Sequence, residues 1–153
     1  MYIVSKYNSN DILELYDFGL TIPELKVSDQ CEFMSLSELE SSTINPGSIT
    51  YIAKYNDKII GFCLGSKGDP DYCFDGTSAC IIYLAVSEAF RHQGIASKLL
   101  QEVIYGLKEI GVKYIYTWAC PTSGIVKLCE RLGMKSGRTC VWMDMYLDKL
   151  VNR

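Results

Sequence analysis

The chain has a single histidine, and none of its seven cysteines forms a CxxC pair. That argues against a zinc centre, and an odd cysteine count argues against a complete disulfide framework. Several of the cysteines lie within apolar runs, where the thiol behaves as a small hydrophobe, so a reducing, cytoplasmic setting is expected. Basic charge is also in deficit: 15 Lys and Arg face 18 Asp and Glu, a formal net charge of −3. A nucleic-acid binder carries a basic footprint, so this balance speaks against one and mildly for a cationic substrate. No apolar run reaches the length of a membrane span, and no signal-type apolar region follows Met1. Proline is scarce, at four residues, and no Gly/Ser-rich linker, charge block or repeat divides the chain. One domain over residues 1–153 is expected, with 48% apolar residues to build its core.

What is present alternates between strand and helix patterns. Residues 1–6 read as a strand. Ser9, Asn10 or Asp11 can cap a helix running to Phe18, with Ile12, Leu13, Leu15 and Tyr16 inward and Gly19 as its stop. Phe33, Leu36 and Leu39 suggest a helix over 29–41. Strands at 49–55 and 58–64, joined by Asn56-Asp57, form a hairpin. A polar loop, 65–76, follows. Residues 80–86 are nearly all apolar, which suits a central strand covered on both faces. From Gly94, a helix carries Ile95, Leu99, Val103, Leu107 and Ile110 in one stripe, widened by Leu100 and Ile104, and Gly111 ends it. A strand at 112–118, a helix at 123–132 and a last strand at 138–147 complete the pattern. Strand, helix, strand over 80–118 implies a parallel pair with a right-handed crossover. The fold class is therefore α/β (α+β): a mixed central sheet flanked by helices.

Between the apolar strand and the long helix stands Arg91-His92-Gln93-Gly94-Ile95-Ala96. The first turn of a helix leaves peptide N–H groups without partners, and the helix dipole favours an anion there. Gly94 permits close approach of the backbone, and Ala96 is small. This pattern points to a nucleotide-like ligand carrying a pyrophosphate.

With Leu84-Ala85-Val86 before it, Ser97-Lys98-Leu99-Leu100 after it and Leu132-Gly133-Met134 downstream, this segment resembles the GNAT acyltransferase superfamily. The resemblance implies a single GNAT-like domain whose central parallel strands splay apart. Acetyl-CoA, or another acyl-CoA, would be the co-substrate. Backbone N–H groups around Gln93, Gly94, Ile95 and Ala96, continuing into Ser97, would bind its pyrophosphate, with His92 nearby and the charge of Arg91 assisting. A bulge would turn the strand ending Leu84-Ala85-Val86 away from the strand at 112–118. Pantetheine would lie in the gap against peptide groups near Leu84 and Val86. The N–H of Val86 would stabilise the oxyanion. Family members often carry a Tyr four residues before the Gly of the Leu-Gly-Phe exit, as acid for the leaving thiolate; Cys129 stands there in this chain. The frequent Asn after the preceding strand corresponds loosely to Cys120. Cys129, Tyr116, Tyr83 or water is left to protonate the thiolate.

His92 reads as exposed beside the phosphate and too far along the pantetheine arm for catalysis. Asp69, Asp71 and Asp75 either line the acceptor cleft or decorate a solvated loop. The resulting expectation is an N-acetyltransferase that joins its two substrates in a ternary complex. Its acceptor would be a small-molecule amine, a protein N-terminus or a lysine; neither nucleic acid nor a membrane is expected as partner. A noncatalytic acyl-CoA-binding sensor is the competing reading. The nearly two-sided apolar final strand leaves room for a homodimer.

Overall fold

A computed structural model describes residues 1–26, 28–29, 33–67, 77–141 and 143. Among these residues, five strands stand in the order β1-β2-β3-β4-β5: β1 Ile3–Lys6, β2 Ser48–Tyr55, β3 Lys58–Lys67, β4 Ser78–Val86 and β5 Tyr114–Thr117. The first four pair antiparallel in sequence order, and β5 runs parallel to β4. The helices are α1 Ile12–Leu20, α2 Leu36–Ile44, α3 Ile95–Glu109 and α4 Gly124–Arg131. Mixed sheet, parallel pair and flanking helices match the fold expected from the sequence.

Two cores lie on opposite faces of the sheet. Leu99, Leu100, Val103 and Leu107 of α3 pack with Leu128 and Cys129 of α4 against Ile49, Cys63, Ile81 and Val86. On the other face, Leu15 and Phe18 of α1 and Leu39 of α2 cover Ile52, Phe62, Leu64 and Ala85. The hairpin turn forms as expected, because Asn56 and Asp57 both take positive φ, 48° and 59°, as a type I′ turn requires.

Several boundaries differ from expectation, each for a local reason. Gly19 does not stop α1; the helix continues to Leu20 and caps at Thr21. A Cβ at Gly19 would come within 2.2 Å of Phe33 Cε1, so the glycine serves ring packing. Phe33 is not helical: it packs against Tyr16, Phe62 and Tyr83. The helix starts later, where Ser35 and Glu38 form a reciprocal capping box. β3 runs to Lys67, into the expected loop. Ile110 caps α3 and is exposed rather than completing its buried stripe. Residues 138–141 and 143 are exposed and carry no strand. The remainder of the expected final strand lies outside the described residues, as do Asp69, Asp71 and Asp75.

Candidate functional site

β4 outruns β5, whose whole length is paired with the first half of β4. Their pairing runs from Ser78↔Tyr114 to Ile81↔Thr117 and stops. β4 continues to Val86 with β3 on one edge and, among the described residues, no strand on the other. The Thr117 hydroxyl donates to Ile81 O at 2.8 Å and closes the base of this fork. A bulge sits at the same point. Leu64 pairs with Tyr83 but Gly65 pairs with Ile81, so Ile82 is the extra residue. The strand ending Leu84-Ala85-Val86 thus carries its bulge level with the last β4–β5 pair.

The register fixes which peptide groups face the gap. Ser87 N–H donates to Ile60 O at 2.8 Å, which makes Ile60–Ser87 a hydrogen-bonded pair. Antiparallel pairs alternate, so Phe62–Ala85 and Leu64–Tyr83 are also hydrogen-bonded, whereas Gly61–Val86 and Cys63–Leu84 are not. The N–H and C=O of Leu84 and Val86 thus point away from β3, into the fork. The side chains of Leu84 and Val86 pack on the α3 side, and that of Ala85 on the other.

The helix start lies beyond the open end. Gly94 is the N-cap of α3 at φ 80°, ψ −1°, and a Cβ there would meet nothing within 4 Å. The first helical bond goes from Lys98 N–H to Gly94 O, so the N–H groups of Ile95, Ala96 and Ser97 precede the ladder. His92 also takes positive φ, 62°, and is exposed with Gln93 and Gly94. Backbone donors, a side-chain-free cap and open space fit an anionic group such as a diphosphate.

Arg91 has two partners among the described residues. Its Nε donates to Val86 O at 3.0 Å and its NH1 pairs with Glu24 Oε1 at 2.8 Å. The same hydrogen bond lowers the Glu24 pKa below the usual carboxylate value. Glu24, in the short turn Pro23–Leu25 after α1, was missed by sequence reasoning, and so was Thr117. No local pattern marks either one.

The remaining candidates are placed as follows. Tyr116 is half-buried on β5, with its ring stacked 6.4 Å from that of Tyr114. Trp118, next along the same alternation, is 75% exposed. Cys129 is only 7% exposed within the α3-side core, and burial raises its thiol pKa. Cys120 is exposed in the loop after β5, 3.2 Å from Thr122 Oγ1; that hydroxyl, then the Thr122 and Ser123 peptide groups, lower its pKa. Among the described residues, no His, Cys, Asp and Glu cluster suits a metal ion, and no helix is long and apolar enough to cross a membrane.

A model of the acetyltransferase (GNAT) family matches residues 11–134. No curated protein sequence matches the chain. Solved structures share the fold. The aminoglycoside N-acetyltransferase AAC(6')-Iy in complex with CoA is 18% identical at TM-score 0.71, with 95% of each chain covered. A transcriptional regulator from Bacillus halodurans is 17% identical at TM-score 0.73, covering 95% of this chain and 100% of its own. An aminoglycoside acetyltransferase from an uncultured soil metagenomic sample, in complex with sisomicin, is 18% identical at TM-score 0.67, with 95% of each chain covered.

Proposed function

Because the chain belongs to the GNAT acetyltransferase family, we propose that it moves an acetyl group from acetyl-CoA to a primary amine by direct attack in a ternary complex. The observation that carries this reading is the fork: outward peptide groups of Leu84 and Val86 precede the start of α3, whose N-cap Gly94 brings no side-chain cap. An extended arm with an amide backbone fits the first, and a diphosphate fits the second. The CoA bound to a neighbour of the same fold supports the same ligand class here.

When bound, acetyl-CoA supplies an activated thioester, so the protein need not form a covalent intermediate of its own. The N–H groups of Gln93 to Ser97 hold the diphosphate, with His92 alongside and Cys120 near the arm. Leu84 pairs with the pantetheine amides. Of the two outward groups of Val86, the carbonyl accepts from Arg91 and the N–H is the donor available to a developing oxyanion. A preorganised oxyanion donor is worth about 2.7–4 kcal/mol. The amine must reach the carbonyl neutral, losing its proton through water or a carboxylate. Cys129, whose thiol pKa burial raises, and Tyr116 are the chain's candidates for protonating the leaving thiolate.

The acceptor we favour is a small cationic amine, in keeping with the acidic charge balance and the aminoglycosides bound by structural neighbours. A protein N-terminus or lysine is the other acceptor class. One measurement addresses the reading: release of free CoA from acetyl-CoA across an amine panel that includes sisomicin, with the acetylated product weighed by mass spectrometry. Tight CoA binding without release on any amine favours the noncatalytic sensor, which the cysteine at position 129 makes the second reading. No thermal stabilisation by millimolar acyl-CoA refutes both.

A further inference from the structure

We propose that Arg91 is a positioning residue that ties the turn after α1 to the cofactor side of the fork, an inference that rests on the reading of that fork as a CoA site. One guanidinium reaches two elements far apart in sequence. Nε holds Val86 O at the end of β4, at 3.0 Å, and NH1 holds Glu24 in the turn Pro23–Leu25, at 2.8 Å. A planar fork with several donors in fixed directions makes both bonds together; a lysine ammonium, a point charge on a flexible stem, does not reproduce that geometry.

Each end of the tie matters to the cleft. Engaging the Val86 carbonyl fixes the last peptide of β4 and leaves the Val86 N–H, on the same edge, directed into the fork. At the other end, the Glu24 turn is closed by Leu25 N–H to Ile22 O and Lys26 N–H to Pro23 O, both 3.1 Å. Ile22 and Leu25 anchor it in the core from below. Ile22, Pro23 and Lys26 also line an open cavity of about 130 Å³ with Gly19, Leu20 and Phe33. A ligand that orders the 91–97 segment therefore also orders the wall of this cavity, through Arg91.

Amide hydrogen exchange read by mass spectrometry tests the tie, with CoA as the probe. In the wild type, saturating CoA slows exchange over 94–98, and it slows exchange over 22–26 by about two- to five-fold, the range a partly exposed ion pair supports. Glu24→Gln keeps the protection at 94–98 and loses that at 22–26. Arg91→Lys loses it as well, and Glu24→Asp, which keeps the charge, restores part of it. Protection over 22–26 that survives in Glu24→Gln overturns the tie. So does protection at 94–98 in the wild type with 22–26 unmoved. No protection at 94–98 overturns the CoA reading, and the tie's role falls with it.

Discussion

Gly94 can be tested against two glycines that share its backbone and not its surroundings. Gly94, Gly111 and Gly133 have φ of 80°, 87° and 92°, and an added Cβ at any of them would meet nothing within 4 Å. Alanine at each position pays the left-handed penalty of about 1–2 kcal/mol without a clash. For a chain of this size each kcal/mol lowers Tm by about 2–4 °C. The three variants should therefore melt alike, about 2–8 °C below wild type. Their settings differ. Gly111 and Gly133 follow the C-caps of α3 and α4, whereas Gly94 opens α3 beside its unladdered N–H groups. If those groups hold a diphosphate, a methyl at Gly94 displaces at least one charge-assisted hydrogen bond, worth about 1.5–3 kcal/mol. That weakens CoA binding by about 10- to 150-fold. Calorimetric titration with CoA at one ionic strength, beside thermal melts, reads both quantities. Equal CoA affinity in all three variants, with equal loss of Tm, would refute the cradle. Gly94→Asn sharpens the comparison, because asparagine tolerates positive φ: Tm should recover in part while affinity does not.

Three further outcomes follow from particular contacts. Tyr116→Phe should lower kcat by about 100-fold at unchanged KM if the half-buried phenol is the acid, with Cys129→Ala keeping turnover within about two-fold; the reverse pattern in steady-state kinetics assigns the acid to Cys129. Cys120 titrates below the ordinary thiol value because the Thr122 hydroxyl and nearby peptide N–H groups favour its thiolate, whereas burial raises Cys63, Cys80 and Cys129. Its alkylation rate, followed by peptide mapping, should thus rise at lower pH than theirs; Thr122→Val should shift that rise upward, and an unmoved profile would discount the hydroxyl. Gly106→Ala should cost about 1–3 kcal/mol by overpacking, since its Cβ would lie 2.7 Å from Ile49 Cγ2. Adding Ile49→Ala should recover part of that loss in chemical denaturation, and strictly additive losses would contradict the close approach.

What was legible in the sequence was local. The α3 stripe, the Asn56-Asp57 turn and the start of the helix at Gly94 each depend on residues a few positions apart. The family resemblance drew on the same segment. What was misread depended on distant partners. Phe33 fits a helical spacing with Leu36 and Leu39, yet its ring takes a place among Tyr16, Phe62 and Tyr83. The bare Cα of Gly19 makes room for that ring, so a residue read as a helix stop is a packing surface. The capping box at Ser35 and Glu38 is a local signal that marks the helix start directly, and the apolar spacing masked it.

The bulge at Ile82 shows why the fork itself was harder to read. In a regular strand, Ile81 shares a face with Tyr83 and Ala85. Here Ile81 packs with Leu84 and Val86 on the α3 side, which requires one extra residue between them. A strand with one wet face would reveal such a slip as a break in its polar alternation. Cys80 to Val86 is nearly all apolar, so the sequence carries no polar alternation to break. The phase is fixed by the pairing with β3 and by the Ser87–Ile60 bond. The same burial that makes β4 easy to recognise as a central strand hides where it departs from β5. Placing a charge on β4 tests this asymmetry: Ile82→Lys, at the exposed bulge, should cost far less stability than Leu84→Lys, whose side chain packs toward α3. Equal losses in denaturant titration would mean that Ile82 is packed and that the strand runs without its extra residue.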